Sequence, residues 1–315
     1  MTLFAPPRFG LALGGGGIRG LAHIGVLKAL EEEGLRPSLL SGTSMGGLIA
    51  ALYASGMSAC QLEAEALRAS RPTRLMRLIE LRPPRRGLLR TGGVRAYLEG
   101  LLGKGLDFAS LRIPTVLTAV DLEAAEEILL GEGSVLEAVM ATMAVPSLFE
   151  PVRLGNRILV DGGVLNNVPA GVVRRMGAEV VVAVDVGSGL GLSSPDKKPN
   201  LAGLAALLPQ IAIDLIQTEG IMVSAITAER LRRARPEVLI RPSLPPGVTS
   251  FTGFDRTEEI LLAGQRATQL QIPSLRAALS LTPARILRRV ISRFPFQKDD
   301  RVAWPIHDQV EGLQP

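Results

Sequence analysis

Ser44 sits in Gly42-Thr43-Ser44-Met45-Gly46, a Gly-x-Ser-x-Gly sequence. Glycines two places either side of a serine allow a turn too sharp for neighbouring side chains, with the hydroxyl at its tip. A hydroxyl nucleophile needs a base, and histidine is the usual one. The chain has only two histidines. His23 lies one turn into a helix and has the character of a structural hydrogen-bonding residue. His307 lies in a Pro-containing tail with nothing around it to position it. Asp161, in Asp161-Gly162-Gly163 at a strand end, is the remaining candidate. Alone, Asp161 would be a turn aspartate accepting backbone N–H bonds; beside a nucleophilic serine it completes a Ser–Asp dyad. A third motif, Gly14-Gly15-Gly16-Gly17-Ile18-Arg19-Gly20, presents bare backbone N–H groups at a helix start, a setting that favours negative charge.

The glycine run contains the dinucleotide-type spacing at Gly15, Gly17 and Gly20. A dinucleotide fold would carry an acid at the end of its second strand to hold a ribose. Here that strand ends in Ser41-Gly42 and runs straight into the serine motif. A nucleotide-binding protein therefore rests on the glycine spacing alone. One cysteine, Cys60, and two distant histidines do not make an ordinary zinc site, so no metal and no cofactor are expected.

Positioning these motifs requires particular elements. The pattern predicts a strand over Phe9–Leu13, then a helix over Gly20–Glu33 with Leu21, Ile24, Leu27 and Leu30 on one face and Gly34 as its C-cap. A strand over Ser38–Ser41 leads into the serine turn, and Met45–Ala54 is an apolar helix. Ser58 and Gln61 have capping-box spacing for the next helix. Ile113–Val120 is a strand with Glu127–Leu130 as its pairing partner. Val135–Ala144 is a helix ended by Pro146. Arg157–Val160 is a strand leading into Asp161. Helix Ala170–Met176, strand Glu179–Val184, a helix over Leu201–Ile216, strand Val238–Arg241 and a closing helix Glu258–Gln269 complete the pattern. Strands alternating with helices imply an α/β fold with a mainly parallel sheet covered on both faces.

The 315 residues are 47% hydrophobic and 21% charged, a globular composition. Aromatics at 3% leave the core to Leu, Val, Ile and Ala and argue against a base-stacking nucleic-acid binder. A single cysteine excludes an internal disulfide and fits a reducing compartment. The start shows no secretory signal, and no apolar run reaches the ~18 to 20 residues of a spanning helix. The expected location is the cytoplasm, with peripheral attachment at the inner face of the membrane left open. The net charge is +5, carried by arginine. Residues 71–90 form a basic, Pro-containing excursion. Residues 284–294 can be drawn as a helix with Ile286, Leu287, Val290, Ile291 and Phe294 opposite Arg285, Arg288, Arg289 and Arg293. Each segment has two readings: contact with anionic lipid, or docking on its own domain.

Together the glycine run with Arg19, the serine motif and Asp161-Gly162-Gly163 resemble the patatin-like phospholipase family, in its bacterial branch. The stretches LALGGGGIRGLAHIGVLKALEEEG, GTSMGGLIAALYASG, DGGVLNNVP and GFDRTEEILLAG carry the resemblance, from about Phe9 to Ala267. It implies a three-layer α/β/α fold. Residues 9–174 would be the catalytic core, 175–282 the remainder of the same domain, and 283–315 a peripheral basic tail. It implies Ser44 as nucleophile, Asp161 as base, and the amides of Gly15, Gly16 and Gly17 as oxyanion hole. Arg19, Gly20, Gly42, Gly46, Gly162 and Gly163 would support the motifs. The activity implied is a serine lipid acyl hydrolase of phospholipase A or lysophospholipase type, acting through an acyl-enzyme. Its partner is a lipid or other acyl ester, with no nucleic acid; homo-oligomerisation stays open. A general carboxylesterase or acyltransferase, and a non-catalytic regulatory protein on the same fold, are the competing readings.

Overall fold

The computed structural model describes residues 7–71, 80–81, 89–146, 148–187 and 210–280, with side chains of 80–81, 89–90 and 210–217 excluded. Most of the basic excursion, the first half of the helix expected over 201–216, and the tail from 283 lie outside the described residues.

The hydrophobic runs become an eight-stranded sheet. Its strands are β1 (Phe9–Leu13), β2 (Leu39–Gly42), β5 (Thr115–Asp121), β6 (Glu126–Leu130), β7 (Val152–Leu154), β8 (Arg157–Asp161), β9 (Val180–Val184) and β10 (Val238–Ile240). The pairs β3 (Glu80–Leu81) and β4 (Leu89–Arg90) form a separate antiparallel ribbon. In the main sheet β10, β9, β1, β2 and β5 are parallel neighbours in that order. Beyond them β6, β8 and β7 pair antiparallel.

The register on β5 determines where the site forms. β6 occupies one edge of β5 along its length from Leu117 to Asp121. On the other edge β2 runs parallel and stops with Gly42 beside Leu117. β8 comes from the opposite direction along that same edge and stops with Asp161 beside Ala119. Two strands thus converge end to end on one edge, and the residues that follow each of them must leave the sheet at the same place.

Helices cover both faces. On one lie α1 (Ala22–Glu32), α2 (Met45–Ser55), α3 (Ala59–Ala69), α4 (Gly92–Leu102), α5 (Val135–Thr142) and α9 (Thr257–Leu279), packed with Leu11, Leu13, Leu40, Leu117, Val180, Val182 and Val184. On the other, α7 (Ala170–Arg175) and α8 (Gln210–Ala234) bury Ala12, Leu39, Val181 and Ala183. A short helix, α6 (Gly163–Asn166), follows β8 directly. The alternation within β1 and β9 divides the two cores, because successive strand side chains point to opposite faces. Each fully buried Val or Leu contributes about 1.5–3 kcal/mol relative to exposure.

Local signals act as expected at several ends. Ser58 and Gln61 form the reciprocal capping box of α3. Gly34, at φ +68°, follows α1, and the Leu35 N–H returns to the Leu30 carbonyl at 2.8 Å. Three expectations are corrected. The glycine-run helix begins as a 3-10 turn over Gly17–Leu21 before α1. α8 runs on to Ala234, and α9 runs on to Leu279 through Pro273. The proline is carried because Ile272 and Leu275 on either side of it are buried. β7 and α4 have no counterpart in the sequence reading.

Candidate active site

Ser44 stands between β2 and α2 with φ +54° and ψ −126°. A non-glycine residue held there costs on the order of 1–3 kcal/mol and persists only when its surroundings impose it. The constraint comes from close backbone approach on both sides. A Cβ on Gly42 would lie 2.5 Å from the Gly46 carbonyl oxygen, and one on Gly46 would lie 2.3 Å from that of Leu13. The Thr43 N–H donates to the Leu13 carbonyl at 3.1 Å, and the Ser44 N–H to Thr142 Oγ1 at 2.9 Å. A serine at a helix start ordinarily caps the first amides with its hydroxyl. Here Ser44 makes no such cap, so its Oγ is left for another partner at the positive end of α2.

Asp161 lies close by: hydrogen bonding from the Ser44 side chain acts to lower the pKa of its carboxyl. The Gly163 N–H donates to Asp161 Oδ1 at 2.7 Å, and the Asp161 N–H donates to the Ala144 carbonyl at 2.9 Å. Asp161 is 6% exposed and Ser44 8%. Burial pushes the Asp161 pKa up to about 7, against the lowering effect of its bonds from Ser44 and Gly163; the nearby Glu219 carboxylate of α8 adds to the rise. Burial also raises the Glu219 pKa.

The glycine run lies against the serine: a Cβ on Gly15 would be 3.2 Å from Ser44 Cβ and 2.5 Å from Asn167 Oδ1. The loop is clamped reciprocally. The Gly15 N–H donates to the Asn167 carbonyl at 3.0 Å, and Asn167 Nδ2 donates to the Gly15 carbonyl at 3.3 Å. Gly14 and Ile18 donate to the carbonyls of Val184 and Ser250. This corrects one expectation: the Gly15 amide, grouped with those of Gly16 and Gly17 as a free donor, is engaged by Asn167. Gly17 takes φ +57°, and its missing Cβ makes room for the Ser250 backbone.

Arg19 is buried, its Nη2 donating to Ser250 Oγ at 2.8 Å and its Nε to the Gly16 carbonyl at 3.5 Å. Burial lowers its pKa while Asp185 opposes that. Arg19 thus ties the loop to residue 250. Gly20 gives way to the Met45 side chain, and Gly162 to Thr118, whose Oγ1 a Cβ would approach to 2.2 Å. His23 has the structural role expected of it. Its Nε2 donates to the Gly14 carbonyl at 2.7 Å, and burial drops its pKa to about 4. Among the described residues no group of His, Cys, Asp and Glu is arranged to hold a metal ion.

The geometry places side by side a strained serine, a buried carboxylate and a glycine loop. The patatin-like phospholipase family model matches residues 11–174. The chain belongs to the patatin-like phospholipase family. An uncharacterized NTE family protein of Mycobacterium tuberculosis is 32% identical over 279 residues, covering 83% of this chain and 46% of that protein. Patatin-like phospholipase domain-containing protein 6 of Homo sapiens is 35% identical over 182 residues, 56% of this chain and 13% of the relative. The chain therefore spans less than half the length of these two relatives. Among solved structures, VipD from Legionella pneumophila has a TM-score of 0.47 at 15% identity, over 87% of this chain and 68% of that chain.

Four residues around this patatin-like site gave no sequence signal of their own: Thr142, Asn167, Glu219 and Ser250. Only Asn167 could have been found, since DGGVLNNVP places it just past Asp161 in a stretch already singled out.

Proposed function

We propose that this protein is a serine acyl hydrolase acting on lipid esters, with Ser44 as nucleophile and Asp161 as general base. The observation that carries it is the pairing of a strained, uncapped Ser44 with a buried carboxylate whose pKa lies near neutrality. Family membership supports a lipid substrate. A base works best with its pKa close to the operating pH, and an ordinary aspartate near 3.9 would be too weak.

As Ser44 Oγ attacks the acyl carbonyl, its proton passes to Asp161. The carbonyl oxygen becomes an oxyanion, which we assign to the amides of Gly16 and Gly17. Removing one such donor typically lowers the rate about 10²- to 10³-fold. When the tetrahedral species collapses, the C–O bond to the alcohol breaks and Asp161 returns the proton to the departing oxygen. The acyl group stays on Ser44. Water then enters, gives a proton to Asp161 and attacks the acyl carbon. The fatty acid leaves and Ser44 regains its proton.

Ser44→Ala and Asp161→Asn should each reduce hydrolysis of a short-chain ester at least ~10³-fold with the fold retained. A fluorophosphonate probe should label the parent protein and not the Ser44 variant. Full turnover by either variant would refute the dyad. Product analysis with mixed phospholipids and lysophospholipids, beside esters of graded chain length, separates a phospholipase from a general carboxylesterase.

A further inference from the structure

Glu127 belongs to none of the three motifs, yet it lies at the head of a continuous chain of hydrogen bonds that ends beside Ser44. It projects from β6, opposite Val120 of β5. Its Oε1 accepts from Asn166 Nδ2 at 2.6 Å, and its Oε2 accepts from Arg230 Nη1 of α8 at 2.8 Å. Asn166 is 3% exposed and is the last residue of α6. The Asn166 carbonyl accepts the Thr43 hydroxyl at 2.9 Å, and Thr43 Oγ1 lies 2.7 Å from Thr118 Oγ1. One hydroxyl carries one proton, so Thr118 must be the donor to Thr43. Thr43 and Thr118 are fully buried, and Thr43 precedes Ser44 directly.

The short helix α6 bonds Asp161 directly and reaches Ser44 through the preceding Thr43. Its first residue, Gly163, donates its amide to Asp161, and its last, Asn166, receives the hydroxyl of the residue before Ser44. A four-residue helix has little stability of its own. Its Asn166 end is fixed from outside by the Glu127 carboxylate. Hydrogen bonds to a charged group contribute more than neutral ones, and this one is mostly shielded from water.

We propose that Glu127 is a positioning residue for the Ser44–Asp161 pair, acting through Asn166 and Thr43 and anchored from α8 by Arg230. The proposal rests on the dyad reading and names what holds the dyad in register. Displacing reacting groups by about 1 Å can cost around a hundredfold in rate, whereas substrate affinity need not change.

The test compares Glu127→Ala, Glu127→Gln and Asn166→Ala with the parent in the full chain, using a short-chain ester and fluorophosphonate labelling of Ser44. Glu127→Ala and Asn166→Ala should lower kcat and the labelling rate about 10- to 100-fold, with KM within about threefold of the parent. Glu127→Gln keeps an acceptor oxygen for Asn166 and should restore kcat to within about threefold. Parent-like kcat in Glu127→Ala overturns the proposal, as does a Glu127→Gln variant as impaired as the alanine. Should Glu127→Ala fail to fold, Asn166→Ala and Glu127→Gln decide it: the first must lose kcat and the second must keep it. Ser44→Ala distinguishes the levels, since its activity refutes the dyad itself whatever Glu127 does.

Discussion

As the proposed base, Asp161 has to be buried to be basic enough, and that burial sets a pH-dependent cost on the fold. Its pKa stands at about 7 in the folded protein, against an ordinary value of 3.8. The folded state therefore binds this proton more tightly than the unfolded one. Its contribution to stability is fully present below about pH 4 and is lost as pH rises through about 7. Asp161→Asn removes the titration and retains an oxygen to accept from Gly163. The variant should gain stability relative to the parent between about pH 4 and pH 7 and hold that gain above it. At 1.36 kcal/mol per unit the ceiling is about 4 kcal/mol. Denaturant unfolding of both proteins at pH 4, 6 and 8 measures this; an unchanging difference would contradict it. The same ionisation should set the acid limb of kcat/KM, which falls as pH drops below about 7 because the base is then protonated.

At the scale of elements, α1 and α9 pack so closely that their backbones nearly touch. A Cβ on Gly25 of α1 would lie 1.9 Å from the Leu261 carbonyl oxygen of α9, and one on Gly264 would lie 1.9 Å from that of Ala22. Gly25→Ala should therefore cost about 1–3 kcal/mol or more, because two helices must separate to admit one methyl group. Gly100 on α4 has nothing within 4 Å of such a Cβ, so Gly100→Ala should be neutral or slightly stabilising. Melting temperatures of the two variants against the parent check this, and a shift of equal sign in both would refute it. The contrast also shows what the sequence could reveal. Ser44, Asp161 and the glycine loop were legible because crowding forces glycine around each of them, and glycine spacing survives in one dimension. The bonds from Thr142, Asn167 and Ser250 were not, since ordinary residue types meet there across 98, 152 and 231 positions. α4 was missed because only Leu98 and Leu102 along it are buried, too few to set a period. α9 continues past the expected end at Gln269: Pro273 would ordinarily break a helix, and tertiary burial of its neighbours overrides that.

At the scale of the molecule, no helix among the described residues is long and apolar enough to cross a membrane. We propose that the arginine-rich stretches at 71–90 and 284–294, in a chain of net charge +5, draw it electrostatically to an anionic lipid surface. The tail would provide part of this attraction. A chain ending before Pro283 should then bind phosphatidylglycerol vesicles more weakly than the full chain. Raising the salt should narrow the difference, because exposed charges are screened within about 8–10 Å at physiological ionic strength. Equal binding in a co-sedimentation assay would remove the tail from this role.

The meeting of β2 and β8 on one edge of β5 has a consequence for a chain as it is being made. The serine emerges from the ribosome long before the carboxylate, and every intermediate between them holds a hydroxyl with no proton acceptor. On the proposed dyad, reactivity would be conferred only when β8 docks against β5, so a half-made or partly unravelled copy would be inert toward the esters around it.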